Sequence, residues 1–299
     1  MLLDKENREF IKKTAGLFMN SSSEKLKGLF CAEWLFLFKC DFLCKARKDN
    51  EINKSVATPA AEQHIKNWGT ETTDHSTNLD EFCSWFNTAS SIEDSIKSGF
   101  EDFAYHITKP ELSPWLGNPL ETTSLEIGYG SGRLMVPACN FFKSCIGVDI
   151  HGFSERVSQI IKDQGANNFQ LYDTNGMDFP IEDASIDFAY SFIVLQHLPT
   201  IEVLKANIGE LYRVMKSGAV AILYLGYLQG PFWKSYTDIS SNQTTTVREV
   251  TLRLKMSFAK KLAKDAGFEL VNCQRSTKSP HSTKLGGQFY MVLTKERTP

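Results

Sequence analysis

The chain has 299 residues, a formal net charge of -2 and 23% charged residues, which is the composition of an ordinary globular protein. No basic excess accompanies it, so a nucleic-acid partner is not expected. Seven cysteines are present without a CxxC pair or a nearby histidine spacing. They predict reduced thiols in a cytoplasmic protein rather than disulfides or zinc ligands. No cluster of Asp, Glu and His has metal-ligand spacing, so no metal site is predicted.

The first 112 residues predict a mainly helical region without alternating strands. Helical patterns cover 7–18, 25–48, 79–87 and 91–107. Residues 26–44, LKGLFCAEWLFLFKCDFLC, are apolar but include four charged side chains. A charge near a bilayer centre costs roughly 3 kcal/mol, so a spanning helix is disfavoured. A buried or homodimer-forming helix is expected instead, with docking on a membrane surface or a partner as the alternative, and no signal peptide is indicated.

From residue 113 to 299 the pattern changes to alternating strands and helices. Apolar strand patterns lie at 124–127, 145–149, 169–172, 186–192 and 219–225. Helical patterns lie between them, with Ser154 and Thr200 as expected N-caps and Gly165 and Gly218 as expected ends. Strands that alternate with helices in this way predict a parallel sheet covered on both faces.

The C-terminal third has a different pattern. Residues 250–256 alternate apolar and charged side chains, which predicts a half-exposed strand. Ser257 is the expected cap of a following helix. Two further strands, 268–273 and 288–294, are joined by a polar loop and are expected to pair as neighbours. An insertion at about 226–250 separates these elements from the fifth strand.

A glycine-rich turn, in LEIGYGSGRL, is the most informative segment. Gly128, Gly130 and Gly132 follow an apolar strand and open a helix, where the backbone must approach a ligand closely. Asp149 and Ile150 end the next strand in GVDI, about 20 residues after the first glycine. An acidic side chain at that place can accept hydrogen bonds from both ribose hydroxyls. The turn alone is equally compatible with nicotinamide and flavin cofactors.

Several further motifs make the assignment more specific. They are NGMDFPIEDASIDFAYS, LQHLP, ELYRVMKSGAVAIL and DAGFELV. Together with GYGSG and GVDI they make residues 125 to about 295 resemble the class I, seven-stranded S-adenosylmethionine-dependent methyltransferases. The resemblance implies a doubly wound α/β fold with a mostly parallel seven-stranded sheet, an antiparallel C-terminal strand and, here, an N-terminal helical extension. It also implies S-adenosylmethionine as cofactor and S-adenosylhomocysteine as product.

The same resemblance implies roles for individual residues. Glu126 would orient the methionine part of the cofactor, and the turn would line its methionine and ribose. The implied turn residues are Gly128, Tyr129, Gly130 and Gly132. Asn175 stands where the family commonly has an aspartate that bonds the adenine amino group, and the backbone N–H of Gly176 would meet a ring nitrogen. Ser191 and Phe192 would border the methionine amine and the methyl group.

The methyl acceptor is much less constrained. His197 in LQHLP is the candidate general base, which only an acceptor that keeps its proton requires, and packing beside the cofactor is the alternative role. Four aromatic side chains in the insertion are candidates to contact the acceptor, with loop anchoring as the alternative: Tyr227, Phe232, Trp233 and Tyr236. We expect a small-molecule or sugar-like acceptor methylated on oxygen, with nitrogen and carbon acceptors as alternatives.

Two other classes of function remain open from the sequence. Tyr212 and Lys216 form a YxxxK pair of the kind used by short-chain dehydrogenases, although the glycine turn lacks the matching TGxxxGxG pattern. A non-catalytic cofactor-binding protein is the second alternative, because a fold does not fix a function.

Overall fold

The computed structural model describes residues 58–87, 89–109, 112–241, 246–277 and 287–296. The predicted helices at 7–18 and 25–48, the apolar stretch 26–44 and any dimer contact through them lie outside these residues. Within the described ranges, no helix is both long and apolar enough to cross a bilayer.

Seven strands form one sheet: β1 (Thr123–Ile127), β2 (Ser144–Asp149), β3 (Phe169–Asp173), β4 (Ile186–Ser191), β5 (Met215–Gly226), β8 (Phe268–Arg275) and β9 (Gln288–Lys295). Two short strands, β6 (Tyr236–Thr237) and β7 (Arg253–Leu254), form a separate pair. The spatial order in the large sheet is β3-β2-β1-β4-β5-β9-β8. The pairs among β1 to β5 are parallel, whereas β9 runs antiparallel to both β5 and β8. This confirms the predicted mostly parallel sheet with an antiparallel C-terminal strand, and the predicted pairing of the last two strands.

Helices cover both faces of the sheet. They are α1 (Pro59–Asp74), α2 (Leu79–Asn87), α3 (Ile92–Asp102), α4 (Ser113–Leu116), α5 (Met135–Phe141), α6 (Ser154–Asp163), α7 (Ile201–Val214) and α8 (Met256–Asp265). Alternate residues of each strand point to opposite faces. Tyr190 and Ile222 accordingly pack with α2, α3, α5 and α6, while Ala189 and Leu223 pack with α7 and α8.

Of the helices before the sheet, α2 and α3 begin close to where the sequence predicts them, whereas no helix was predicted at α1. α2 has the predicted bounds, and α3 continues into a π-helical turn, Phe103–Ile107, so that together they match the pattern at 91–107. Ser91 caps α3 by accepting a hydrogen bond from the Asp94 N–H at 3.2 Å. α3 lies against the backbone of Arg133, since a Cβ placed on Gly99 would be 2.0 Å from the Arg133 carbonyl oxygen.

Two predicted helix caps are wrong. Thr200 does cap α7, but Ser154 is the first residue of α6, and its hydroxyl donates to Asp173 Oδ2 at 2.5 Å instead of bonding to the helix. Ser257 lies inside α8, whose cap position is Lys255. The Ser154 hydroxyl does not cap α6 because it binds Asp173 instead. Ser257 lies two residues beyond the cap position of α8.

Two predicted element bounds also differ. α7 ends at Val214 and β5 begins at once, so Gly218 lies within the strand, at φ +79°. The register between β4 and β5 shifts beside this glycine, which takes the left-handed conformation that a bulge requires. The strand predicted at 250–256 shrinks to β7 (Arg253–Leu254), paired with β6 (Tyr236–Thr237). Thr251 and Leu252 instead donate their N–H groups to the Gln196 carbonyl.

Candidate functional site

A cavity of about 490 Å³ lies at the carboxyl ends of β1, β2 and β4. In open parallel sheets this edge is where ligands bind. The glycine turn and the strand ends form its floor. Helices α1, α2 and α3 cover it from the N-terminal side, and residues 248 and 250 reach it from the C-terminal side. Cavities of this volume are typical of small-molecule sites.

The glycine turn brings the backbone to the cavity wall. Gly128 and Gly130 line the cavity with φ +82° and +50°. A Cβ on Gly128 would be 2.4 Å from the Val194 side chain, so only glycine fits there. Tyr129 also lines the cavity, and its hydroxyl donates to Asp173 Oδ1 at 3.0 Å. Gly132 is not on the wall, because it faces α6.

Asp149 and Ile150 both line the cavity at the end of β2. The Asp149 carboxylate accepts hydrogen bonds from the N–H groups of Gly130 and Ile150, each at 2.7 Å. These bonds hold the carboxylate at the turn. Its side chain is 13% exposed, so its remaining lone pairs can accept hydrogen bonds from hydroxyl groups of a ligand.

Glu126 is a buried carboxyl at the floor of the cavity. It accepts a hydrogen bond from the Tyr190 hydroxyl at 3.1 Å, and burial raises its pKa to about 8. A bound cation would favour its ionised form. Ser131 also lines the cavity with a buried hydroxyl, which lies beside the Cys83 thiol. This part of the cavity therefore fits a ligand that carries an ammonium group.

Asn175 and Gly176, the two site residues predicted in the loop after β3, differ in position. Gly176 lines the cavity, whereas Asn175 does not. The Asn175 amide oxygen accepts hydrogen bonds from the backbone N–H groups of Met177 and Asp178, each at 2.9 Å, which turns the side chain back onto its own loop. Thr174 lies on the wall in its place.

The two residues predicted at the end of β4 differ in position. Ser191 is buried off the cavity, and its hydroxyl donates to the Ile127 carbonyl at 2.9 Å. Phe192 lines the cavity and stacks on His106, with ring centroids 4.8 Å apart. The guanidinium of Arg133 lies 5.6 Å from the centre of the Phe192 ring.

His197 lines the cavity, but both of its ring nitrogens have partners. Nδ1 is 3.0 Å from the Glu249 carbonyl, and Nε2 is 3.0 Å from Gln196 Nε2. Burial lowers its pKa to about 4. The ring is therefore neutral near pH 7 and is a weak base. Proton removal by His197 stays a prediction that this geometry does not favour.

The aromatic side chains of the insertion lie away from the cavity, contrary to the role considered for them. Phe232 and Trp233 are exposed, and Tyr236 stacks on Phe258. Tyr227 packs against Arg275. None of the four lines the cavity. Of the insertion residues that the structure describes, Arg248 and Val250 line the cavity.

Several cavity residues were missed by the sequence reasoning. Trp68, Trp85 and Phe86 come from α1 and α2, Gln196 lies just after β4, and Gln288 is the first residue of β9. The sequence offered one indication for Gln288, because it begins the predicted strand 288–294, which was expected to pair with the strand at 268–273. A second missed feature joins α3 to the turn, as Arg133 donates to the buried Asp102 at 2.6 Å. Among the described residues no three His, Cys, Asp or Glu side chains form a metal-ligand group.

Comparisons with known proteins agree with this fold. Residues 125–223 match the family model described as a methyltransferase domain. The 1,6-didemethyltoxoflavin-N1-methyltransferase of Burkholderia thailandensis has a similar structure, with TM-score 0.54 and 13% identity over 81% of this chain and 92% of the other. Its structure holds 1,6-didemethyltoxoflavin and S-adenosylhomocysteine.

Two further similar structures are S-adenosylmethionine-dependent methyltransferases from Methanosarcina mazei and Aquifex aeolicus. The first has TM-score 0.49 and 19% identity over 64% of this chain and 99% of the other. The second has TM-score 0.46 and 14% identity over 68% of this chain and 97% of the other. No curated protein sequence matches the chain.

Proposed function

We propose that this chain, an S-adenosylmethionine-dependent methyltransferase of the class I fold, methylates a small molecule that enters the cavity beside the cofactor. The observation that carries the proposal is the cavity itself. Its volume of about 490 Å³ must hold the cofactor together with the reacting end of the acceptor. Helices α1, α2 and α3 cover the cavity, which favours a small acceptor.

The residues on the wall fit this cofactor. The cofactor carries an ammonium group, a ribose diol and an adenine ring. The buried Glu126 carboxyl suits the ammonium group, and Asp149 has lone pairs for the diol. Gly128 and Gly130 leave room for close approach by the backbone. Gly176 and Ile150 are proposed to contact the adenine, while Asn175 and Ser191 would contribute only through their backbone.

The chemistry needs little from side chains beyond positioning. S-adenosylmethionine supplies a methyl group on a positively charged sulfur, which is already a good leaving group. The protein's task is to hold the nucleophile in line with that methyl group and to exclude water. Phe192 and the aromatic side chains of α1 and α2 surround the cavity and serve this purpose.

Oxygen remains our first proposed acceptor atom, provided that the hydroxyl is acidic enough to lose its proton without His197. A nitrogen acceptor is the second candidate. The observation that favours it is the engagement of both His197 ring nitrogens, since a nitrogen lone pair needs no base. The Burkholderia thailandensis neighbour is itself an N1-methyltransferase.

Calorimetry with S-adenosylmethionine and S-adenosylhomocysteine tests the cofactor assignment, and Asp149→Asn is the informative variant. An amide at this position keeps one acceptor oxygen and adds a donor, so it cannot satisfy both backbone N–H groups and the ribose diol. We expect affinity to fall roughly 10- to 100-fold. Asp163→Asn on α6, away from the cavity, is the control. Unchanged affinity in Asp149→Asn would show that the ribose assignment is wrong.

A further inference from the structure

We propose that Gln288 selects the methyl acceptor, its Oε1 accepting a hydrogen bond from an O–H or N–H group of a planar ring. The inference rests on the proposed function, because it concerns the acceptor end of the same cavity. Gln288 would orient the acceptor. An amide oxygen is not a base, so Gln288 would not remove a proton.

Gln288 lies at the correct edge of the sheet for this role. It is the first residue of β9 and pairs with Gly226 at the carboxyl end of β5. The antiparallel direction of β9 therefore brings the start of this strand to the same edge as the glycine turn. The residue lines the cavity while being only 5% exposed. Its Oε1 has no hydrogen-bond partner among the described residues.

A series of hydrogen bonds determines which atom of the Gln288 side-chain amide has no hydrogen-bond partner. The Glu249 carbonyl can only accept, so His197 must carry its proton on Nδ1, 3.0 Å away. Nε2 of the neutral ring then accepts from Gln196 Nε2 at 3.0 Å. Gln196 is left with its Oε1, which accepts from Gln288 Nε2 at 2.7 Å.

This series of hydrogen bonds leaves Gln288 Oε1 as an acceptor to which no described group donates. Reversing the Gln196 amide would place its oxygen against the lone pair of His197 Nε2, two acceptors facing each other. The Glu249 carbonyl thus determines which atom donates and which accepts in each bond, first at His197 and then at Gln196. In this account both are positioning residues. A buried acceptor of fixed direction discriminates strongly against a ligand that lacks a donor.

The surrounding wall favours a flat partner. Trp85 and Phe86 of α2 and Trp68 of α1 line the same cavity. The Arg248 guanidinium lies 4.8 Å from the Trp85 ring centre and adds a second flat group. Aromatic and guanidinium planes bind planar rings through stacking.

Matched pairs of planar rings test the proposal directly. Uracil and catechol carry donors, and 1,3-dimethyluracil and 1,2-dimethoxybenzene are their capped forms. Binding of each to the protein saturated with S-adenosylhomocysteine is measured by saturation-transfer NMR and calorimetry. We expect at least one uncapped ring to bind roughly tenfold or more tightly than its capped form. Gln288→Met should remove that preference while leaving the affinity for S-adenosylhomocysteine unchanged.

Two additional variants make the test specific. Gln274→Met on β8, whose amide contacts Tyr290 instead of the cavity, is the matched control and should keep the preference. His197→Phe removes the acceptor that fixes Gln196, so it should reduce the preference without Gln288 being changed. The proposal is overturned if Gln288→Met keeps the wild-type preference, or if neither uncapped ring binds better than its capped form. Failure to bind S-adenosylhomocysteine would instead overturn the proposed function.

Discussion

Glu126 links the cavity floor to the stability of the fold. Burial raises its pKa from the ordinary value of 4.5 to about 8, with Tyr190 as its hydrogen-bond donor. Between these two pH values the folded state holds a proton that the unfolded state has lost. The free energy of unfolding therefore decreases as the pH rises through this window, and the effect is complete above pH 8.

We accordingly expect Glu126→Gln to stabilise the cofactor-free protein above pH 8, by about 1 kcal/mol or more. The two proteins should differ least below pH 4.5, where the wild-type carboxyl is protonated in both states. Thermal unfolding followed from pH 4 to 9 measures the difference. Glu269→Gln, at an exposed position on β8, serves as the control and should give none of this pH dependence. A stability difference independent of pH would contradict the assignment.

The sequence predicted those cavity residues that follow directly from local pattern. Gly128 and Asp149 lie together because each ends or follows a strand of a parallel sheet, and strand ends can be located from hydrophobic runs, whereas Glu126 was predicted only from the family resemblance. Gln288 could not be placed in this way, since its position depends on an antiparallel pairing with β5. The side-chain direction of Asn175 was equally inaccessible, because it depends on hydrogen bonds within its own loop.

At the scale of secondary structure elements, the contact between α3 and the glycine turn is the closest approach to another backbone at any described glycine. A Cβ on Gly99 would lie 2.0 Å from the Arg133 carbonyl oxygen, so alanine must push α3 away from the turn. The displacement would also stretch the 2.6 Å bond between Arg133 and Asp102. α3 contributes to the cavity wall, so this contact connects the helical region to the cavity.

Gly99→Ala is expected to destabilise the protein by about 2 kcal/mol and to weaken S-adenosylhomocysteine binding. The matched control is Gly209→Ala in α7, where an added Cβ meets nothing within 4 Å. That control should be neutral or stabilising by up to about 1 kcal/mol, because alanine favours helix. Thermal unfolding and calorimetry measure both effects. Equal behaviour of the two variants would rule out the close contact.

Element positions were predicted well where periodicity alone decides them and less well where tertiary contacts do. α2 and the α3–π-helical pair match the sequence pattern because their apolar faces repeat at helical spacing. The alternation at 250–256 indicated a longer strand, but the Gln196 carbonyl takes two of its N–H groups. A local pattern carries no information about such a distant competing acceptor.

In the whole molecule, segments far apart in sequence cover the cavity together. We call residues 246–252 the cover segment. Its Val247 N–H donates to Glu71 of α1 at 3.2 Å, and its Arg248 lies 4.8 Å from the Trp85 ring centre. Leu252 is tied to the loop after β4 through the Gln196 carbonyl. The N-terminal helices and the insertion therefore meet above the cavity, and we predict that ligand exchange separates these contacts.

Arg248 is exposed, so its contact with Trp85 should contribute roughly 0.5–1 kcal/mol. If that contact holds the cover closed, Arg248→Ala should accelerate the release of S-adenosylhomocysteine about two- to fivefold with little change in melting temperature. Stopped-flow displacement measures the rate.

Arg275→Ala breaks a comparable contact, 3.8 Å from the Tyr227 ring centre and away from the cavity. Release from that control should match the wild type. If both variants release at the same rate, the contact between the cover segment and α2 does not limit exchange, and the ligand leaves by a route that keeps the cover closed.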